Sequence, residues 1–207
     1  MTVGPRGRLV AFEGVDGCGK STQAALLAGR LDGVLTFEPG ATSLGATLRR
    51  VLLEVGRGPI DARAEALLMA ADRAQHVAEV IEPALVAGSW VVTDRYSGST
   101  FAYQGYGRGL PLEDLEQMVR VATRGLTPDL NVLLEVPLDV ARKRRSGSHP
   151  DRFEEEEEFL GRVAAGFSSL AEADPEKWVV IDGNGPVEEV AAAVWARVEP
   201  MVGAASR

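Results

Sequence analysis

The chain has one cysteine, Cys18, and two histidines, His76 and His149, in 207 residues. A single thiol cannot close an internal disulfide, and two imidazoles cannot furnish a His-rich metal site. No window approaches the roughly 18 successive apolar residues that a membrane-spanning helix needs. The N-terminus shows no apolar stretch of signal-peptide length, so a reducing cytoplasm is the expected compartment. Basic residues are outnumbered, 22 against 30 acidic ones, for a formal net charge of -8. A broad nucleic-acid-binding face depends on clustered Lys and Arg, so no nucleic-acid partner is expected and any anion site must be local. Internal repeats and Pro-, Gly- or Ser-rich linkers are missing too, and the length suits one domain over residues 1–207.

What is present is a hydrophobic fraction of 45%, rich enough in aliphatics to bury a core. Five short β-branched and apolar runs read as buried strands: Arg8 to Glu13, Val34 to Phe37, Trp90 to Thr93, Leu130 to Val136 and Trp178 to Ile181. Ala- and Leu-rich helical stretches separate them. Strands alternating with helices imply an α/β fold, a parallel five-stranded sheet with helices on both faces. In such sheets ligands sit beyond the carboxyl ends of the strands, which directs attention to Gly14 onward, Glu38-Pro39-Gly40, Asp94-Arg95-Tyr96 and Asp182-Gly183-Asn184.

The first of these segments, Gly14-Val15-Asp16-Gly17-Cys18-Gly19-Lys20-Ser21, fits G-x-x-x-x-G-K-[ST]. It follows a strand and opens a helix from Lys20 to Leu31, the two contexts the motif requires and a chance glycine turn lacks. Its glycines let successive N–H groups face phosphate oxygens at a helix N-terminus. Together with Thr22 these residues form the expected ATP site: Lys20 for the β- and γ-phosphates, Ser21 with Asp94 for Mg²⁺. Cys18 reads as a small residue filling a tight loop.

A phosphate cradle alone does not separate a kinase from a GTPase switch. Phe12-Glu13-Gly14-Val15-Asp16, Glu38-Pro39-Gly40, Ala71-Asp72-Arg73, Asp94-Arg95-Tyr96 and Ala102-Tyr103-Gln104-Gly105, in that order and spacing, resemble thymidylate kinases. The similarity runs on, less specifically, through Asp151-Arg152-Phe153 to Ile181-Asp182. The resemblance implies a P-loop NTPase three-layer sandwich, a homodimer, and transfer of the γ-phosphoryl of ATP to thymidine 5′-monophosphate, in dTTP biosynthesis.

Arg95 suits the acceptor phosphate because its planar fork binds phosphate oxygens in pairs. The resemblance adds Arg49 as a second phosphate contact and places Glu38 at the acceptor. It gives Asp16 to the deoxyribose 3′-hydroxyl, where a turn-capping role is the alternative. Tyr103 either crowds the sugar 2′ position or is a packed core tyrosine; Thr100 and Gln104 are further base contacts. Over Ala62 to Leu85 the helical period predicts a core stripe at Leu67, Ala71, Ala74, Ala78, Ile81 and Leu85, with Met69 and Arg73 on the opposite face. On pattern alone Arg73 is a solvated arginine; the resemblance makes it a base ligand. Met69 stands where the family often stacks phenylalanine on thymine, and a thioether can lie on a ring face. Phe37 replaces an arginine found in many bacterial relatives.

Some members of that family carry an arginine in the loop at the position of Gly17, and others supply it from a lid. Arg142-Lys143-Arg144-Arg145, then Arg152, mark an expected lid at about 142–154. The pattern is similar to the lid-supplied class, with Arg145 or Arg152 reaching the transferred phosphoryl; an exposed basic turn neutralised by Glu154 to Glu158 is the plainer alternative. Two other functions stay open. A kinase for a different nucleotide or a deoxynucleoside could use Glu13 or Asp94 as base. An NTP-dependent switch is disfavoured, because the Asn-Lys-x-Asp segment of guanine readers does not occur.

Overall fold

Every strand expected from the sequence pairs into one sheet. The computed structural model describes residues 6–53, 58–145 and 157–204. In it β1 (Leu9–Glu13), β2 (Val34–Phe37), β3 (Val91–Asp94), β4 (Leu130–Glu135) and β5 (Trp178–Asp182) are all parallel, in spatial order β2-β3-β1-β4-β5. Arg8, Trp90 and Val136 fall just outside, whereas Asp94 and Asp182 join the ladders. The chain leaves β1 toward one side of the sheet and later returns to place β4 on the other. The carboxyl end of β1 is thus the switch point where a crevice opens.

Alternation along β1 builds the layers. Leu9 and Ala11 pack with Val77, Ile81 and Leu85, while Val10 and Phe12 join Ala24, Leu27 and Ala28 of α1 (Lys20–Leu31) and Val190, Val194 and Val198 of α9 (Val187–Ala204). The latter cluster continues to Phe159, Val163 and Phe167 of α8 (Glu157–Ala173). No helix among the described residues is long and apolar enough to cross a membrane.

The stretch from Ala62 to Val86 is helical throughout but not uniform. It comprises α3 (Ala62–His76), a π-helical turn (Val77–Ile81) and α4 (Glu82–Val86). Pro83 has no N–H to donate, and just before it the ladder widens: the Glu82 N–H reaches back to the Val77 carbonyl.

The burial of this helix corrects the sequence expectation. Of the six stripe residues only Ile81 and Leu85 are buried; Leu67 is 58% exposed, and Ala71, Ala74 and Ala78 are exposed. The inward face of α3 carries Glu65, Ala66, Asp72, Arg73 and His76. Three small alanines offer little apolar area to drive burial. The inward charges are instead compensated by one another and by neighbours, Glu38 with Arg73 and His76, Glu65 with Gln104 and Arg108.

Candidate active site

Three glycines shape the loop after β1, at φ 135° for Gly14, 85° for Gly17 and 101° for Gly19, all values that L side chains resist. Gly17 is required by contact as well: a Cβ there would lie 2.2 Å from the Ala141 carbonyl oxygen, because α7 (Leu138–Arg145) rests on the loop. Lys20 is buried and donates to the Val15 carbonyl at 2.9 Å, with Asp16 Oδ1 at 3.8 Å. Lys20 and Ser21 open α1, as the motif demands.

Beside them, Ser21 Oγ donates to Asp94 Oδ2 at 2.5 Å, while Asp94 Oδ1 is buried with no partner among the described residues. Among those residues no group of three or more His, Cys, Asp or Glu could hold a metal. A hydroxyl and an orphaned carboxylate oxygen next to a phosphate cradle nonetheless fit Mg²⁺, which keeps several waters and takes further oxygens from phosphates.

Arg95, at the end of β3, adopts φ 73°, unusual for a residue with a side chain. The conformation is held by the Arg95 N–H donating to the Phe12 carbonyl (2.9 Å) and by Thr93 Oγ1 donating to the Arg95 carbonyl (2.8 Å). Its guanidinium donates to the Gly14 carbonyl (3.1 Å), Ser99 Oγ (3.0 Å), Tyr103 Oη (3.1 Å) and Asp16 Oδ1 (2.5 Å). Burial alone would raise the Asp16 carboxyl, but the charges of Arg95 and then Lys20 hold it well below the usual carboxylate range. Burial also pushes the Tyr103 phenol up, so it stays neutral and can donate to Asp16.

Glu13 anchors the same turn from beneath. It is fully buried and accepts from the Tyr96 and Ser99 N–H groups (3.0 and 3.1 Å) and from Ser99 Oγ (2.6 Å). Burial outweighs these donors and raises its carboxyl to about 7. Glu13 lines neither of the two clefts described below, so of the two carboxylates weighed as a catalytic base only Asp94 borders one.

Between α2 (Ser43–Leu53), α3 and the turn after β3 lies a cleft. Asp16, Glu38, Arg49, Met69, Arg73, Arg95, Thr100, Tyr103 and Gln104, every residue expected at the acceptor, line it. Arg73 is no solvated arginine: it is buried, with Nε on Glu38 Oε2 (2.8 Å), Nη1 on Thr100 Oγ1 (2.7 Å) and Nη2 on the Tyr96 carbonyl (2.9 Å). Arg49 donates to the Pro39 carbonyl (2.7 Å), and Gln104 to Glu65 (2.9 Å). Pro39, Leu53, Asp72 and Ser99 line the cleft too, without having been singled out for it. Asp72 sits within Ala71-Asp72-Arg73 and Ser99 sits beside Thr100, so proximity in sequence was an available signal. Burial and the charge of Glu38 push the Asp72 carboxyl up to about 6.

A second cleft holds Asp16, Gly17, Gly19, Lys20, Ser21, Thr22, Asp94 and Arg144 in its lining. It shares Asp16, Glu38, Arg49 and Arg95 with the first. Arg144, not the expected Arg145, borders this cleft, and it also donates to the Gly183 and Asn184 carbonyls after β5 (2.9 and 3.3 Å). Arg145 packs over the loop from above, its Cγ 3.0 Å from where a Gly17 Cβ would stand, and its charge helps hold Asp16 ionised. Val15 and Cys18 are buried in the floor of the loop. Of the expected lid at about 142–154, Arg142 to Arg145 are described; Arg152 lies outside the described residues.

The chain is similar to known proteins over most of its length. The thymidylate kinase family model matches residues 12–194. A thymidylate kinase of Synechococcus sp. (strain CC9311) is 48% identical over 203 residues, covering 91% of this chain and 93% of that protein. Another, from Burkholderia thailandensis, is 44% identical over 196 residues, with 89% and 94% covered. Among solved structures, the thymidylate kinase of Ehrlichia chaffeensis superimposes with a TM-score of 0.78 at 30% identity, over 94% of this chain and all of that one. The fold is that of a P-loop NTPase, and the chain belongs to the thymidylate kinase family.

Proposed function

We propose that this chain transfers the γ-phosphoryl group of ATP to thymidine 5′-monophosphate, giving thymidine 5′-diphosphate and ADP. The observation that carries the reading is the pair of clefts that meet at Asp16, Glu38, Arg49 and Arg95, one floored by a phosphate cradle and the other lined by Arg73, Thr100, Tyr103 and Gln104.

In this reading Gly14 to Thr22 wrap the ATP phosphates and Lys20 exchanges its loop carbonyl for the β- and γ-phosphates. Ser21 and Asp94 hold Mg²⁺, which when bound neutralises phosphate charge. Arg95 and Arg49 orient the acceptor phosphate, already an anionic nucleophile, so no strong general base is needed. Asp16 takes the 3′-hydroxyl and Tyr103 restricts the 2′ position. Arg73, Thr100 and Gln104 address the base, with Met69 against its face. Arg145 or Arg152, from the lid at about 142–154, supplies the charge that Gly17 leaves out.

The whole chain acts as one kinase domain in the cytoplasm and pairs as a homodimer. The exposed stripe Leu67, Ala71, Ala74 and Ala78 supports the pairing, since small residues let helices approach closely. An acceptor panel with Mg·ATP tests the function: thymidylate is the fast acceptor, with deoxyuridylate slower by the ~1–3 kcal/mol that one methyl is worth. Fast turnover of thymidine with none of thymidylate would overturn it.

A further inference from the structure

Helix α3 presents Arg73 and His76 one turn apart on the same inward face, and Glu38, just past β2, lies between them. Glu38 Oε2 accepts from Arg73 Nε at 2.8 Å, and its Oε1 meets His76 Nδ1 at 2.9 Å. The far side of the imidazole, Nε2, stands 2.6 Å from Thr36 Oγ1 on β2. All are buried, His76 completely. If Thr36 donates to Nε2, the proton resides on Nδ1 and points at Glu38, so the chain runs Thr36 to His76 to Glu38 with one consistent polarity.

The far end of this chain is an arginine in the acceptor cleft. Arg73 spends one N–H from each of its three nitrogens on Glu38, Thr100 and the Tyr96 carbonyl. Two of its five N–H groups are left for the cleft that it lines. Their direction is set by the plane of the guanidinium, and that plane is fixed on one edge by Glu38. A buried carboxylate that loses one of two donors turns toward the other or draws in water. We infer that His76 is a positioning residue for the acceptor base, acting through Glu38 on the orientation of Arg73.

The inference rests on the reading of Arg73 as a base contact, and the experiment separates the two. Steady-state kinetics are measured for wild type, His76→Leu, His76→Asn, Thr36→Val and Arg73→Ala, varying thymidylate and ATP in turn, with circular dichroism and melting to confirm folding. His76→Leu is expected to raise the thymidylate KM about tenfold, leaving kcat within about threefold and the ATP KM unchanged. His76→Asn, whose amide can donate where Nδ1 does, should recover most of that loss. Thr36→Val should raise the thymidylate KM by about two- to fivefold.

A folded His76→Leu enzyme with a thymidylate KM within twofold of wild type overturns the inference. So does a parallel rise in both KM values, or an Asn variant no better than Leu. Should His76→Leu not fold, Thr36→Val decides: a rise confined to thymidylate supports the role, and none refutes it. An unchanged thymidylate KM in Arg73→Ala would instead sink the base-contact reading itself.

Discussion

Arg95 Nη2 lies 2.5 Å from Asp16 Oδ1, so an ion pair joins the turn after β3 to the phosphate loop after β1. The same guanidinium touches Gly14, Ser99 and Tyr103. One side chain thereby ties the donor cradle to the acceptor cleft, which phosphoryl transfer needs because positioning two polyanions is most of the catalytic task.

Replacing Arg95 should consequently damage both sides of the reaction. For Arg95→Ala the expected loss in kcat/KM for thymidylate is about 10³-fold, near 4 kcal/mol. Lysine should recover no more than about tenfold of it, since an ammonium cannot reproduce the fork that spans four partners. Steady-state kinetics check this, and a Lys variant at the wild-type rate would remove the bidentate argument.

The lid arginines are separable by rate. Arg145→Ala is expected to lower kcat about 10²-fold with a small change in KM, in keeping with charge stabilisation of the transferred group. Arg152→Ala is the companion measurement. If both variants keep full kcat, the assignment of lid-supplied charge is abandoned.

Glu13 makes stability depend on pH in a stated direction. Its carboxyl is raised to about 7 in the fold against an ordinary 4.5, so between those values the native chain holds a proton that the unfolded chain has lost. Stability from this group is therefore highest at the acidic end and falls as pH rises, levelling above about 7; the full cost is on the order of 3 kcal/mol. Asp72, raised to about 6, acts in the same direction over a lower window. Urea unfolding of wild type and Glu13→Gln near pH 5 and pH 8 isolates the effect. The variant should gain on wild type between the two pH values, and an unchanged difference would refute the ionisation.

Self-association is testable on the exposed face of α3. Leu67, 58% exposed, heads the stripe of alanines. Wild type should sediment as a dimer at micromolar concentration. Leu67→Glu places a charge in the contact and should weaken association by about 10-fold or more without loss of fold. A wild-type chain that sediments as a monomer would end the proposal.

Several features were legible because they are local. Each strand is an apolar run bounded by polar residues, and a loop whose glycines must take positive φ before a Lys-Ser helix start announces itself in eight consecutive residues. The helix Lys20–Leu31 was delimited to the residue for the same reason. The face of α3 was not. Periodicity found the apolar side correctly but assumed that apolar means inward. That rule fails where the inward side is the wall of a polar cleft.

Arg144 illustrates a second limit. Four consecutive basic residues are equivalent in sequence, yet α7 sends Arg144 to the carbonyls after β5 and sets Arg145 over Gly17. Helical rotation and the seat of α7 on the loop make that choice.

The sequence by itself determined the α/β class and the phosphate cradle, since each depends on residue type and short-range spacing, whereas the acceptor roles of Asp16, Arg49 and Arg73 came from the resemblance to thymidylate kinases. Only the tertiary structure decided that Arg95 and Asp16 are partners, that Glu38 lies between Arg73 and His76, and that the charged face of α3 is the buried one. Those contacts join residues 35 to 79 positions apart. Electrostatic pairing in a low-dielectric interior depends on distance in space, which residue spacing along a chain does not encode.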